Sequence, residues 1–471
     1  MQEKEERNMS IWTRLGDEIE AFSRDIRDMR ISPLVNLEEI RAELEQRYTF
    51  ETPIPLDILT EQVIDLLRRW NTHVTHPRAF GYFNASVRQA SIVADTLAAL
   101  YNPQLAVWSG APAAQELERV TLHYFARVLG MAPDTLHASF TTGGSEANLS
   151  AVLAALAHHF PQLDATGLFG LPKRPAIYIT SESHHSFVKV ARMTGLGTET
   201  LREVPVDSHF VMDTNALKTS IQADVEMGFY PLMIVGTAGT TSMGLVDPLP
   251  ALADIALASN IWFHVDAAWG GSAILSPRLK PLLRGIEQAD SITWDAHKWL
   301  SVPMGAGMFF CRHLEAIQRV FAVATPYITS TIDGVLDPYM TTPQWSRRTI
   351  GLKVFMALAE AGANGYSEII EQQARMGDYL RSRLKQTGWE VVNQTELPVI
   401  CFTHPSLKQG LFTTNELLQA MDKRGRAWIS DVILEKKERA LRACITSFKT
   451  NESDIECLLE ELEYARQEVN G

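Results

Sequence analysis

Between residues 111 and 312 short apolar runs alternate with helical stretches, and this alternation restricts the fold more than any other feature of the chain. The runs at 176–179, 232–235, 261–265, 291–293 and 307–310 have strand length, and the segments between them are long enough to cross back over a sheet. Strands joined by such crossovers lie mainly parallel with helices on both faces, and a sheet of that kind binds ligands outside the carboxyl ends of its strands. The residues that follow each run are therefore the first candidates for chemistry.

The flanking segments have a different texture. Residues 11–67 read as mostly helical and amphipathic, with Leu59, Val63, Ile64 and Leu67 on one face and breaks at Pro33, Pro53 and Pro55. Residues 72–108 concentrate aromatics, in Phe80-Gly81-Tyr82-Phe83 and at Trp108, and aromatics near turns can line a pocket. Beyond 325 an irregular stretch runs to Trp345, then a long helical pattern to Leu384, then an α/β region over 391–468. The net charge of −13 argues against nucleic acid, which is bound through a surplus of Lys and Arg. No apolar stretch reaches the ~20 residues of a membrane span, and the first residues, Met1-Gln2-Glu3-Lys4, are charged where a signal peptide needs an apolar core. Cys311, Cys401, Cys444 and Cys457 form no C-x-x-C pair, which fits a reducing, cytoplasmic setting.

Four segments carry chemistry. Thr141-Thr142-Gly143-Gly144-Ser145-Glu146-Ala147-Asn148 runs into a helical pattern; close backbone approach at the glycines, the Ser145 hydroxyl and free helix N–H groups suit an anion, although a plain helix cap would read the same. His264-Val265-Asp266-Ala267-Ala268-Trp269 ends an apolar run on a carboxylate, which is either a partner for a pyridine nitrogen, with Ala268 small enough for a flat ring, or a loop former. Asp295-Ala296-His297-Lys298-Trp299 sets a lysine between aromatic residues, and a desolvated amine is what Schiff-base chemistry uses; an ordinary surface lysine is the alternative. Ser181-Glu182-Ser183-His184-His185-Ser186 pairs two histidines, but adjacent side chains diverge and no further His or Cys completes a metal set, so stacking on a planar cofactor is the simpler role.

Taken together and in this order, the segments resemble the group II pyridoxal-phosphate decarboxylases, over residues 76–448. The resemblance implies a fold-type I large domain with a mainly parallel, seven-stranded type of sheet sandwiched by helices. It also implies an N-terminal helical arm over 1–87 that forms a homodimer, a cofactor domain over 88–353 and a small C-terminal α/β domain over 354–471. Carried over, it makes Lys298 the Schiff-base lysine for pyridoxal 5'-phosphate and Asp266 the partner of the pyridine nitrogen. Ala268 and His185 lie on the two ring faces, and Gly144, Ser145 and His297 hold the phosphate. Thr241 lies beside the cofactor and Asp247 follows it. Tyr339, ahead of Gln344-Trp345-Ser346-Arg347-Arg348 and one residue short of the family's interval, matches the loop tyrosine that protonates the substrate carbon, with His185 as the alternative donor. Tyr82, Phe83 and Trp108 match aromatic pocket positions, while the amide that binds a distal carboxylate in acidic-substrate branches is absent from Phe80-Gly81-Tyr82-Phe83. Asp-Ala-Ala-Trp-Gly-Gly looks more like the glutamate and cysteine-sulfinate branch. The expected reaction is decarboxylation of an aromatic or otherwise non-acidic L-amino acid to amine and carbon dioxide. 2,4-Diaminobutyrate or an acidic amino acid, and an aldehyde product by oxidative deamination, are the alternatives.

Overall fold

The computed structural model describes residues 10–83, 85–325, 335–434 and 438–470. The charged first residues and the opening of the irregular stretch, 326–334, lie outside the described residues. The chain divides into two compact units: Phe83–Asp378 with Asn393–Ile400, and Met1–Tyr82 with Tyr379–Val392 and Cys401–Gly471.

The larger unit is built on seven strands, β1 (His137–Thr141), β2 (Pro175–Ile179), β3 (Leu201–Glu203), β4 (Tyr230–Thr237), β5 (Trp262–Asp266), β6 (Ser291–Asp295) and β7 (Gly307–Cys311), in the spatial order β1-β7-β6-β5-β4-β2-β3. The β2–β3, β2–β4, β4–β5 and β5–β6 pairs are parallel, and only β7 runs against its neighbours β1 and β6. The five expected runs are all strands of this sheet; β1 and β3 join them.

Helices cover both faces because the central strands carry apolar side chains on both. Val235 of β4 packs with Val152 and Leu156 of the helix Gly144–His159 in one cluster. The next residue, Gly236, faces the other way, where an added Cβ would lie 2.9 Å from Leu249 and 3.3 Å from Leu252 of the helix Leu249–Ser259. The helical run after residue 350 spans Gly351–Gln386, but Gly362, at φ 66° and ψ 174°, divides it into two helices.

In the other unit, the N-terminal helical reading resolves into Ile11–Asp25, Leu37–Arg47 and Leu56–Trp70, with the proline-bearing segments between them. β8 (Glu390–Val391), β10 (Ser430–Ile433) and β11 (Arg439–Cys444) join the Cys401–Thr403 part of β9 (Val399–Thr403) in a sheet of order β10-β11-β9-β8. The segment before Tyr82 docks on this unit: the Phe80 N–H donates to the Trp428 carbonyl and the Phe80 carbonyl accepts from the Cys444 N–H, both at 2.7 Å. Among the described residues no helix is long and apolar enough to cross a membrane.

Candidate active site

The parallel pairing of β5 with β6 places Asp266 opposite Thr293, so both strands deliver carboxylates, Asp266 and Asp295, at the same end of the sheet. The short helix Ala296–Trp299 follows β6 directly and carries Lys298, whose Nζ lies 3.1 Å from Asp295 Oδ2. Asp266 is buried; its Oδ2 accepts from Asn148 Nδ2 at 2.9 Å and its Oδ1 from the Ala268 N–H at 3.1 Å.

β1 leads into the same place through Gly143 and Gly144, where the helix Gly144–His159 begins and leaves its first N–H groups without intrahelical partners. The glycines are needed there. A Cβ on Gly144 would stand 3.0 Å from Asp295 Oδ2, 3.3 Å from the Ala268 Cβ and 3.4 Å from Thr293, and one on Gly143 would stand 3.4 Å from His297. Gly144, Ala268, Asp295 and His297 therefore enclose a small hollow floored by backbone, and Ser145 offers an exposed hydroxyl at its mouth.

Burial is the largest cause holding the His297 imidazole below its ordinary pKa, and Asp295 opposes it. The Ala306 N–H donates to His297 Nδ1 at 3.2 Å, so a neutral ring carries its proton on Nε2, 3.7 Å from Asp295 Oδ2 and free to donate to an anion. Asp295 Oδ1 points away from Gly144 toward Gly307 and, among the described residues, has no hydrogen-bond partner. A backbone-floored anion cradle, a reachable amine and a buried carboxylate on the neighbouring strand fit a phosphorylated pyridine aldehyde: Gly144, Ser145 and His297 could hold its phosphate, Lys298 its aldehyde and Asp266 its ring nitrogen.

His184 and His185 lie at the start of the helix Ser186–Met193. Part of His184 is exposed, yet burial is the main influence lowering its pKa, and Asp266, Lys298 and Asp295 all act on it, so this ring lies in the field of the site. Thr241 is exposed in the turn after β4, a turn closed by Thr240, whose Oγ1 accepts the Leu245 N–H at 3.1 Å. Asp247 is buried and accepts the N–H groups of Thr237 and Met212 at 2.7 and 2.8 Å; burial pushes its pKa up to about 6.

The aromatic residues are more dispersed. Phe83 packs on Trp269 at 4.7 Å, and Trp269 stacks on Trp299 at 5.0 Å and 9°, so an aromatic column stands behind the lysine-bearing helix. Tyr82 meets the Trp428 ring edge-on at 4.9 Å. Trp108 donates from Nε1 to Glu116 at 3.0 Å and lines a cavity of about 580 Å3 with Gln115, His137 and Arg347, a cavity that none of the cofactor candidates lines. Tyr339 is buried in the turn Pro338–Met340, its ring 4.8 Å from that of Trp345 and its N–H on the Ala106 carbonyl. Among the described contacts, Tyr339, Tyr82 and Trp108 do not meet the residues around Lys298. Asn148 and Asp295 had no assigned role. The signal for Asn148 was an amide inside an Ala- and Leu-rich helix, where that side chain is otherwise disfavoured; for Asp295 it was a second carboxylate ending a strand.

A mostly parallel seven-stranded sheet with these groups at its strand ends defines a fold-type I pyridoxal-phosphate enzyme. The chain belongs to the pyridoxal-dependent decarboxylase family, whose conserved domain matches residues 39–404, and it is a pyridoxal-phosphate-dependent amino-acid decarboxylase. Aromatic-L-amino-acid decarboxylase of Bacillus atrophaeus is 28% identical to it over 408 residues, covering 85% of this chain and 83% of that protein. Acidic amino acid decarboxylase GADL1 of Bos taurus is also 28% identical, over 416 residues that cover 84% and 78%. In fold the chain is similar to Oryza sativa TDC, solved with PLP and tryptamine, at a TM-score of 0.91 and 24% identity, covering 98% of this chain and 97% of that one.

Proposed function

We propose that the protein converts an aromatic or otherwise non-acidic L-amino acid to its amine and carbon dioxide. The Phe83 ring carries this reading, because it is partly exposed and is backed by the buried Trp269 and Trp299 rings behind the lysine-bearing helix, three residues on from Asp266 in the case of Trp269. Bound pyridoxal phosphate supplies the electron sink into which the bond to the departing carboxylate breaks. Lys298 Nζ would hold the cofactor's aldehyde, and the Asp295 carboxylate, 3.1 Å from Nζ, would stabilise that nitrogen as an ammonium whenever it is free. Asp266 would keep a proton on the pyridine nitrogen, and His297 Nε2 together with the N–H groups at Gly144 and Ser145 would orient the phosphate. Phe83 covers the apolar end of the substrate, and the His185 imidazole, next to the His184 ring on which Asp266 and Lys298 act, returns a proton to Cα.

A panel of L-amino acids scored for carbon dioxide, amine and peroxide tests this. Amine in step with carbon dioxide is expected from aromatic substrates, with no peroxide, and Lys298→Ala should remove both turnover and the absorbance of bound cofactor. Turnover confined to glutamate, cysteine sulfinate or 2,4-diaminobutyrate would overturn the substrate class, and peroxide in step with carbon dioxide would make the product an aldehyde.

A homodimer is part of the same reading. The helices Ile11–Asp25 and Leu56–Trp70 contain no buried residue, and Trp12 and Leu56 are 68% and 64% exposed, so this unit presents an apolar face that a second copy would cover. The four cysteines are buried and, among the described residues, form no disulfide, in keeping with the reducing setting proposed for the protein.

A further inference from the structure

We infer that Asn148 and His264 are positioning residues that hold the Asp266 carboxylate toward the ring nitrogen, through a one-directional chain of hydrogen bonds that begins at Trp262. This rests on the role proposed above for Asp266. Trp262 Nε1 lies 2.8 Å from Ser291 Oγ, Ser291 Oγ lies 2.8 Å from His264 Nδ1, and His264 Nε2 lies 3.1 Å from Asn148 Oδ1. Thr293 Oγ1 also reaches Asn148 Oδ1, at 2.7 Å, while Asn148 Nδ2 donates to Asp266 Oδ2 and to Ser186 Oγ, both at 2.9 Å. All seven side chains are buried.

The direction of every proton follows from donor chemistry. An indole N–H can only donate, so Ser291 Oγ accepts from Trp262. An amide oxygen can only accept, so His264 carries a proton on Nε2. Burial lowers the His264 pKa to about 4, which leaves the ring neutral with Nδ1 bare, and Ser291 donates its hydroxyl proton there. The amide of Asn148 cannot then be turned over. Its oxygen is committed to two donors, and reversal would set that oxygen against the Asp266 carboxylate.

Each bond in such a chain polarises the next, and acceptance at Oδ1 strengthens donation from Nδ2. Asp266 Oδ2 receives the end of that chain. Without it the buried oxygen would lose its described donor, at the full cost of an unsatisfied buried acceptor. The chain uses strands β5 and β6 and the helix that opens on the anion cradle, so one network fixes the carboxylate to the elements that hold the other parts of the site.

The test compares Asn148→Leu, His264→Phe, His264→Gln and Asp266→Ala with the parent enzyme. The readouts are the dissociation constant of pyridoxal phosphate, the absorbance maximum of the bound cofactor, and kcat and KM separately. His264→Phe keeps bulk and loses the donor; it should weaken cofactor binding about ten- to a hundredfold and move the absorbance maximum. Glutamine reaches Asn148 with an N–H, so His264→Gln should recover affinity to within about threefold of the parent. Equal losses in the Phe and Gln variants, or a His264→Phe enzyme with the parent's affinity and spectrum, would overturn the inference, and both are readable if Asn148→Leu does not fold. Asp266→Ala separates the two levels. If it leaves affinity and spectrum unchanged, the role of Asp266 itself has failed; if it alone is impaired while Asn148→Leu and His264→Phe match the parent, only the positioning chain has failed.

Discussion

A methyl group at Gly144 would press on Asp295 Oδ2 at 3.0 Å and on the Ala268 Cβ at 3.3 Å; Asp295 ends β6, and Ala268 lies in the turn after β5, its N–H held by Asp266. Gly144→Ala should therefore shrink the hollow without unfolding the chain and weaken pyridoxal phosphate binding by roughly tenfold, about 1.4 kcal/mol, in a spectroscopic titration. Unchanged affinity would remove Gly144 from the phosphate cradle. Lys298 and Asp266 stand out as candidates in the sequence because an apolar run precedes each, with Asp266 as the last residue of its strand and Lys298 in the short helix after the next one. Asn148 takes no role from its motif, since an amide in the first turns of a helix reads as a cap until its partners on two strands are known. Asp295 was hidden for a related reason: a carboxylate three residues before a lysine looks like a local ion pair, and its place beside Gly144 depends on β1 and β6 converging.

Two glycines on helices illustrate opposite backbone demands. Gly16 lies within Ile11–Asp25 with nothing within 4 Å of an added Cβ, so Gly16→Ala should stabilise that helix by about 0.5–1 kcal/mol. Gly362 also has open space around it, but its φ of 66° with ψ of 174° belongs to a region reserved for glycine, and Gly362→Ala should destabilise by about 1–3 kcal/mol. Thermal unfolding of the two variants checks both signs. At this scale the strands were readable where both faces are covered: β2, β4, β5 and β7 are nearly continuous apolar runs. β1 escaped because His137, Ser139 and Thr141 interrupt it, and β3 because three half-exposed residues at a sheet edge carry too little pattern. The break at Gly362 was likewise invisible, since a helical periodicity continues on both sides of it.

Across the molecule, burial sets the response to acid. It lowers His76 to about 3 and His137, His159 and His264 to about 4, all below the ordinary value of 6.5. A group depressed on folding contributes stability that is complete above its unfolded pKa and is lost as the pH falls toward the folded one, here between about 6.5 and 4. Asp247, raised to about 6, acts in the opposite sense, adding stability at low pH that is lost as the pH rises through 6. Four groups against one make the expected balance a falling urea midpoint from pH 7 to pH 5, and a midpoint that rises over that range would contradict it. The stack of Trp269 on Trp299, the residue next to Lys298, has an optical consequence. Indole emission from this pair arises beside the place proposed for an absorbing pyridine ring, so excitation should pass to the ring and tryptophan fluorescence should dim as the cofactor loads. Trp299→Phe should reduce the dimming, giving the protein a gauge of its own occupancy that needs no substrate.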